Sequence, residues 1–357
     1  MDTTQSLVLI RMLTGAARER ATDLHINGGS VPMMRIDGTL RPLPGEEIVT
    51  QEFIGQMLES FLSPEVLEKL AETKDYSFTH LFDNKVRAKV SIYYEEGAPA
   101  ISMRLLDVKV KTLQELNTPD SVKALAHLSS GLVLIAGTYG SGRTTLAMAL
   151  LEEINRTRTV HVMTVERPIE YDLAGNKSIV DQREVGDDVA TFEDALTHVQ
   201  REDVDVVFVS ELTTANQIMR VLEIATSGVL VFAIVDSASG VHAIEKILAA
   251  LPPAEQEHAR SLLSQCLEGV VAQRLVPRIG GGMVAVHEVI RTHPTIQAFI
   301  AGNRLAQISL FLKNNQDAGM ANMEKELANL VRNKEILPQS AHDAAVDKEF
   351  LSHLISG

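Results

Sequence analysis

GLVLIAGTYGSGRTTLAMALLEEI, residues 131–154, is the stretch that decides the fold of this 357-residue chain. It opens with a short apolar run, which predicts a buried strand, and it ends with apolar side chains at helical spacing. Between them, residues 137–144 read GTYGSGRT and match the phosphate-loop pattern G-x-x-x-x-G-K-[ST], except that Arg143 stands in place of the lysine. The stretch therefore predicts a strand, a phosphate-binding loop and a helix, in that order.

The chemistry of this loop rests mainly on its backbone. Glycines let the chain turn with its N–H groups pointing inward, and the start of the next helix adds unpaired N–H groups and a positive dipole end. Together they suit an anion, and the Thr144 hydroxyl is suited to bind Mg²⁺. A loop that only joins strand to helix, without a ligand, is the alternative. The candidate nucleotide-binding residues are Gly137, Gly140, Ser141, Gly142, Arg143, Thr144 and Thr145.

Arg143 changes the side-chain part of this chemistry. Arginine keeps the positive charge of lysine but presents a broad planar fork, so it cannot reach between the β and γ phosphates by the same route. We expect nucleotide binding to survive this change. We expect transition-state stabilisation to suffer, because it requires a charge placed to within a fraction of an ångström.

Short apolar runs alternate with helical patterns along the middle of the chain. Such alternation predicts a parallel sheet covered by helices, with ligands at the carboxyl ends of the strands. A further strand and a mostly helical tail follow. We therefore predict an α/β core over residues 121–290 and a helical carboxyl-terminal region over 291–357. The apolar runs occupy residues 131–137, 160–166, 204–211, 229–236 and 283–290.

The first 108 residues predict a separate, small α+β domain. Apolar residues at helical spacing fill residues 50–72, and Pro64 starts a second helix there. Residues 109–120 change in character and end in a turn and helix-start signal, so we predict a linker there. The predicted strands of this domain lie in residues 23–29, 31–40, 85–94 and 99–106.

Composition narrows the class of protein. The formal net charge is −14, which disfavours nucleic acid as a partner. Cys266 is the single cysteine, so no internal disulfide can form, which is compatible with a reducing compartment. The first residues lack a signal-peptide pattern, and the longest apolar runs fall far short of the roughly 18 residues that span a bilayer. We expect no transmembrane segment and a cytoplasmic location.

Motifs over most of the chain carry a family resemblance. ATDLHINGG at 21–29 is followed by TVERPIEY at 164–171, REDVDVVFVSEL at 201–212 and VVAQRLVPRIGGGMVAVHEVI at 270–290. In this order they resemble the PilT-type ATPases of type IV pilus retraction, within the type II/IV secretion ATPase family. The resemblance implies a PAS-like amino-terminal domain, a RecA-like P-loop NTPase core and a hexameric ring. It also implies ATP and Mg²⁺ as cofactors.

The chain departs from the family pattern at charged positions. The acidic box, usually E-D-P-I-E, reads ERPIE, so Arg167 replaces an aspartate. The segment that usually ends V-G-E-M-R-D reads VSELTT at 209–214, which keeps Glu211 but loses the following Arg and Asp. The family's two histidines fall on Val229 and Asp236. All these changes lie at positions that the resemblance assigns to nucleotide handling.

The resemblance implies roles for the charged residues that remain. Glu166 and Glu211 are the candidate catalytic residues, and Thr144 with Glu211 the candidate Mg²⁺ ligands. We expect Arg167 to pair with Glu166 or with Glu211, which would close the site to productive water. In the family, amino-terminal arginines reach the nucleotide of a neighbouring subunit. Arg87 and Arg104 are the candidates here, although both can also be simple solvated strand residues.

Three functions are compatible with these observations. One is an active ring motor that drives pilus retraction. The second is a nucleotide-binding paralogue with impaired hydrolysis, acting as regulator or scaffold in a homo-hexamer or in a mixed ring with an active paralogue. The third, a nucleic-acid motor, is disfavoured by the acidic charge and by the absence of basic stripes. We favour the second, located at the cytoplasmic side of the inner membrane beside a pilus platform protein.

Overall fold

The computed structural model describes residues 4–83, 86–106, 109–315 and 319–356. The chain divides into two compact units, one of Met1–Lys109 with Pro168–Asp172 and the other of Val110–Arg167 with Leu173–Gly357. Lys85 and Val108, where a predicted strand starts and the predicted first domain ends, lie outside the described residues. The division into a first domain, a linker, a core and a helical tail stays a prediction.

The described part of the first unit contains three helices and a six-stranded antiparallel sheet. The sheet order is β3-β2-β1-β6-β5-β4. The helices are α1 (Thr4–Arg18), α2 (Gln51–Phe61) and α3 (Pro64–Thr73), and the strands are β1 (Asp23–Ile26), β2 (Met33–Ile36), β3 (Thr39–Pro42), β4 (Asp75–Phe82), β5 (Val86–Glu95) and β6 (Ala98–Leu106).

Local signals explain most of this unit. Thr50 caps α2, and Ser63 caps α3 with Pro64 in its first turn, so the two helices predicted within residues 50–72 are confirmed. Strand β4 was not predicted from the sequence. This strand, DYSFTHLF, lies at the edge of the sheet and exposes several polar side chains, so it lacks the apolar run that marks a buried strand.

The second unit is built on a seven-stranded sheet in the order β13-β12-β7-β11-β10-β8-β9. Six strands are parallel and β13 is antiparallel to β12, so the predicted α/β class with a parallel sheet is confirmed. The strands are β7 (Gly131–Gly137), β8 (His161–Glu166), β9 (Ile179–Glu184), β10 (Val206–Val209), β11 (Leu230–Asp236), β12 (Leu267–Pro277) and β13 (Met283–Arg291).

Helices cover this sheet and continue beyond it. The main core lies between the strands and the helices α6 to α11, and a smaller apolar cluster joins α12 to α14 to Val276 and Val286 of the β12–β13 hairpin. The α-helices in the described part of this second unit are α4 (Asp120–Lys123), α5 (Arg143–Thr157), α6 (Phe192–His198), α7 (Ala215–Thr226), α8 (Gly240–Ala249), α9 (Pro253–Cys266), α10 (Pro294–Ala301), α11 (Ala306–Asn314), α12 (Met323–Arg332), α13 (Pro338–Ala344) and α14 (Lys348–Ser356).

The order of the strands brings several chain ends together. β7 lies between β12 and β11, and β10 lies between β11 and β8. Parallel strands end at the same edge of their sheet, where open α/β sheets bind their ligands. The strand ends Gly137, Glu166, Val209 and Asp236 therefore share the carboxyl edge, which is the region of the candidate site.

Candidate functional site

The phosphate loop joins β7 to α5 at the carboxyl edge. Gly140 and Gly142 have φ angles of 77° and 84°, in the left-handed region that favours glycine. Gly142 is the N-cap of α5 and provides no side-chain cap, as is typical of a helix start that receives an anion. The Ser141 hydroxyl oxygen is buried and has no hydrogen-bond partner among the described residues. These features fit the phosphates of a nucleotide.

Arg143 lies at the start of α5 and contacts the neighbouring strand end. Its Nη1 atom is 3.5 Å from Oδ1 of Asp236, the last residue of β11. The backbone carbonyl of Asp236 also accepts a hydrogen bond of 2.7 Å from Lys246 on α8. Arg143 and Asp236 are both positions at which the chain departs from the family pattern. The two exchanged residues thus form an ion pair with each other.

A second ion pair occupies the neighbouring strands. Nη2 of Arg167 binds Oε1 of Glu211, and the Arg167 guanidinium lies 5.5 Å from the centre of the Phe192 ring. The Arg167 N–H donates to the Ser210 hydroxyl at 3.2 Å, which fixes the two strand ends relative to each other. Of the two pairings expected for Arg167, the structure contains the one with Glu211. The carboxylate that the resemblance assigns to Mg²⁺ and water is therefore bound to a guanidinium.

Glu166 has a different environment from Glu211. It is completely buried at the end of β8, and its Oε1 accepts hydrogen bonds from Thr164 Oγ1 at 2.7 Å and from Gln182 Nε2 at 3.0 Å. Glu211 is one-third exposed. Glu166 ends β8 and Glu211 follows β10, and these two strands are neighbours in the sheet. Glu211 is therefore the more accessible of the two carboxylates, and the catalytic role of both stays a prediction.

The candidate arginines of the first unit have partners within that unit. Arg104 on β6 pairs with Asp23 on β1 at 3.0 Å. Arg87 on β5 donates to the carbonyl oxygen of Ile169 at 3.4 Å, and Lys89 on the same strand pairs with Glu170 at 3.1 Å. A guanidinium has five N–H donors, so these contacts do not decide whether either arginine reaches the nucleotide of a neighbouring subunit. That role stays a prediction.

Sequence reasoning missed two buried polar residues behind the phosphate loop. The side-chain Nε2 of Gln273 on β12 donates to the carbonyl oxygen of Ser141 at 2.7 Å. The side-chain Oε1 of Gln273 lies 2.9 Å from Nε2 of His287 on β13. Both lie in one hairpin, and the register pairs them directly. A signal was present, because polar side chains interrupt the otherwise apolar strands AQRLV and VAVHEV. The sequence does not show, however, that β12 lies beside β7.

A parallel sheet with a glycine-rich phosphate loop at its carboxyl edge defines a RecA-like core of the P-loop class. The family model described as "Type II/IV secretion system protein" matches residues 3–334. The chain therefore belongs to the type II/IV secretion system protein family.

Individual relatives are consistent with this assignment. The twitching motility protein of Neisseria gonorrhoeae is 31% identical over 322 residues, which cover 90% of this chain and 86% of the relative. The type IV pilus retraction ATPase PilT of Pseudomonas aeruginosa is 29% identical over 94% of this chain and 98% of its own length. A crystal structure of the pilus retraction motor PilT with bound ADP superposes with a TM-score of 0.84 at 30% identity, covering 99% of this chain and 100% of that one. The fold is thus PilT-like.

Proposed function

We propose that this protein binds ATP with Mg²⁺ in a hexameric ring of the type IV pilus retraction machinery and hydrolyses it slowly, as a regulatory or scaffold subunit. One observation carries the proposal. At the carboxyl edge of the sheet, the two arginines that depart from the family pattern are paired with acidic side chains, Arg143 with Asp236 and Arg167 with Glu211. Binding and hydrolysis depend differently on these residues, so the exchanges affect them differently.

Binding relies mostly on the backbone. The N–H groups of the loop and of the first turn of α5 come from the glycine pattern and from helix geometry, which the side-chain exchanges leave in place. In the related crystal structure of PilT the nucleotide is ADP. We propose that residues 137–145 hold the triphosphate, with Thr144 and Glu211 as the residues that would hold Mg²⁺. The metal, when bound, neutralises phosphate charge.

Hydrolysis requires side chains that are free to act. A carboxylate must orient water, and cations must absorb the charge that develops on the phosphate. Arg143 stands where the family pattern has lysine and Asp236 where it has histidine, so two groups that act on the phosphates are replaced, and Glu211 lies against Arg167. The removal of one well-placed catalytic donor costs about 10²- to 10³-fold in rate. We therefore expect turnover near background.

The proposed setting of the protein follows its relatives. Two of them are named for twitching motility and for pilus retraction, and both match over most of the chain. No helix in the described part of the chain has the length and apolar character needed to cross a bilayer. We propose a homo-hexamer or a mixed ring with an active paralogue, at the cytoplasmic side of the inner membrane, with the pilus platform protein as partner. Nucleic acid is not among the proposed partners.

An active motor is the second candidate, and the exposure of the Arg167–Glu211 pair favours it. The Arg167 side chain is 58% exposed and that of Glu211 is 33% exposed. Exposed ion pairs contribute only about 0–1 kcal/mol, so Mg²⁺ and nucleotide can compete with this one. If Arg167 moves away when nucleotide binds, Glu211 becomes available for catalysis. The candidates then differ in the measured rate of hydrolysis.

Steady-state ATP hydrolysis separates the two candidates. The wild-type protein is compared with a triple variant, Arg143→Lys, Arg167→Asp and Asp236→His, which restores the family's residues at these three positions. We expect a wild-type rate near background and a rise of about 100-fold in the variant, because two groups that stabilise the transition state return. Arg220→Lys, in an exposed pair on α7, is the control and leaves the rate unchanged. A wild-type rate typical of motors, which the triple variant does not raise, would establish the active motor.

A further inference from the structure

A buried carboxamide lies directly behind the phosphate loop. Gln273 is 5% exposed and belongs to β12, the strand that pairs with β7 on the side opposite β11. Its Nε2 donates to the Ser141 carbonyl oxygen at 2.7 Å. Burial of a polar side chain destabilises the fold unless the side chain is hydrogen-bonded, and this amide donates its hydrogen bond to a backbone atom of the loop. The contact joins two residues that lie 132 positions apart in sequence.

This contact sets the direction of a backbone donor. In a trans peptide the C=O and N–H groups point in opposite directions. Because Gln273 holds the Ser141 carbonyl toward β12, the N–H of Gly142 in the same peptide unit points away from β12. A Cβ atom at Gly142 would lie 2.7 Å from Gln273 Nε2, so the glutamine amide would have to shift to admit a side chain there. The left-handed glycine and the glutamine amide fit against each other.

His287 fixes which way the amide of Gln273 faces. The Ser141 carbonyl can only accept, so Nε2 of Gln273 must face it and Oε1 must face His287 Nε2, which is 2.9 Å away. Burial lowers the pKa of His287 to about 4, so the ring is neutral near pH 7. Because Oε1 of Gln273 can only accept, the single ring proton lies on Nε2. A reversed amide would bring two acceptors together at Ser141. The histidine therefore keeps the glutamine in its working orientation.

We infer that Gln273, held by His287, is a positioning residue that keeps the Gly142 N–H aimed at the phosphates of the bound nucleotide. The inference rests on the nucleotide binding proposed above and adds a residue pair outside the loop motif. It predicts that the two residues change nucleotide affinity although neither belongs to the phosphate-loop pattern. It also predicts that the loop is less ordered without them.

The first test measures the dissociation constants of ATP and ADP by calorimetry in the full-length protein. Gln273→Met keeps the length of the side chain and removes both hydrogen bonds. We expect both nucleotides to bind about tenfold more weakly, the effect of one hydrogen bond of this kind. Asn155→Leu is the matched control, because Asn155 is a fully buried amide at the far end of α5 with three hydrogen bonds of its own. It should lower the melting temperature without changing either dissociation constant.

The second test separates positioning from general stability. His287→Gln keeps an N–H donor for Gln273, whereas His287→Met, of similar size, does not. We expect near wild-type affinity for the first and a loss of several-fold for the second, at comparable melting temperatures. Amide hydrogen exchange of the peptide containing residues 138–143 should rise in Gln273→Met and His287→Met, without nucleotide, and stay unchanged in the Asn155 control.

The outcomes distinguish this inference from the proposed function. A wild-type protein that binds no nucleotide overturns the proposed function, and the inference falls with it. A wild-type protein that binds ATP, together with Gln273→Met at wild-type affinity and wild-type exchange in the loop, overturns the inference alone. Equal losses in His287→Gln and His287→Met would also overturn it, because the donor would then be irrelevant.

Discussion

The backbone of residues 137–144 and the charged side chains around it differ in how far they follow the family pattern. The backbone keeps its glycines, two of them in the left-handed region, and Gln273 supports it from behind. The side chains depart from the pattern at Arg143, Arg167 and Asp236. The difference indicates that phosphate binding and hydrolysis can change separately, because binding depends mainly on main-chain atoms and hydrolysis on side-chain atoms.

The candidate site thus has two halves, the loop backbone with its supporting residues and the charged side chains around it, and they also differ in burial. Gln273 and His287 are buried and hydrogen-bonded, so changing either leaves an unsatisfied polar group in the interior. Asp236 and Arg167 are more than half exposed, so their ion pairs are screened by solvent and cost little to break. We therefore expect large effects on nucleotide binding from changes to the loop backbone and its buried supports, and small effects on binding and stability from changes to the paired charges.

The largest expected effect is the loss of nucleotide binding in Gly142→Ala. An alanine at a φ of 84° costs about 1–2 kcal/mol, and its Cβ would lie 2.7 Å from Gln273 Nε2 and break that hydrogen bond at about 1 kcal/mol more. The loop relieves these costs by leaving its binding geometry, which the nucleotide must then restore, so ATP binding weakens about 100-fold, as calorimetry would show. Gly281→Ala, at a φ of 102° with open space around it, is the control for strain alone and leaves binding unchanged. Equal ATP affinity in the two variants would show that nucleotide binding does not depend on the backbone of the loop.

The next effect is a pH dependence of stability. It arises from a buried carboxyl group that binds the end of the loop after Asp236. Glu288 on β13 accepts the Gly240 N–H at 2.7 Å, at the start of α8. Desolvation is the main cause that raises its pKa to about 7; the Gly240 hydrogen bond and Arg274 oppose this shift, and the charge of Glu324 adds to it. The folded protein thus holds a proton that the unfolded chain releases between about pH 4.5 and 7. Stability should fall as the pH rises through that window and stay low above it.

Glu288→Gln tests this pH dependence. Glutamine keeps an acceptor for Gly240 and cannot ionise, so the slope between pH 5 and 8 should flatten and the variant should be more stable at pH 8 by about 2 kcal/mol. Denaturant unfolding at a series of pH values measures both. Glu223→Gln, on the surface of α7, is the control and should keep the wild-type slope. An unchanged slope in Glu288→Gln would show that the carboxyl group stays ionised in the folded protein.

The sequence predicted the parts of the site that local patterns determine. The loop, the helix after it and the four apolar strands 131–137, 160–166, 204–211 and 229–236 follow from glycine spacing and from apolar runs, which are properties of adjacent residues. The pairing of Arg167 with Glu211 could also be expected from the sequence, because both residues follow apolar strands of one sheet. The outer strand β9, with the sequence IVDQRE, was missed because its polar side chains do not form such a run.

The remaining features depend on which strands are neighbours. The sequence marks Asp236 as an exchanged position but does not show that β11 lies beside β7, so its ion pair with Arg143 was not predicted. The same holds for Gln273, because β12 follows α9 without a turn signal and pairs with β7 from the other side. Contacts between residues far apart in the chain require the strand order, which composition and periodicity do not supply.

A smaller effect is expected from Arg167→Ala. Removal of the guanidinium frees the Glu211 carboxylate, at a cost of the contact with the Phe192 ring. We expect Mg²⁺ to bind the protein–ADP complex about fivefold more tightly, the equivalent of one exposed ion pair. A titration with Mn²⁺ as spectroscopic probe measures this affinity. Arg183→Ala, which removes a surface pair with Glu202 on the same sheet, should leave it unchanged. No gain in metal affinity would mean that Glu211 does not contribute to a metal site.

The smallest expected effect is the coupling between Arg143 and Asp236. Their atoms are 3.5 Å apart and Asp236 is 66% exposed, so a double-mutant cycle of Arg143→Gln and Asp236→Asn should give less than about 1 kcal/mol in unfolding free energy, and less again in high salt. Such a weak pair lets a phosphate group draw Arg143 away, which makes nucleotide binding compatible with the pairing. A coupling above about 2 kcal/mol would instead describe a rigid lock. In that case the exchanged side chains would oppose nucleotide binding as well as hydrolysis, and the separation between the two halves of the site would be lost.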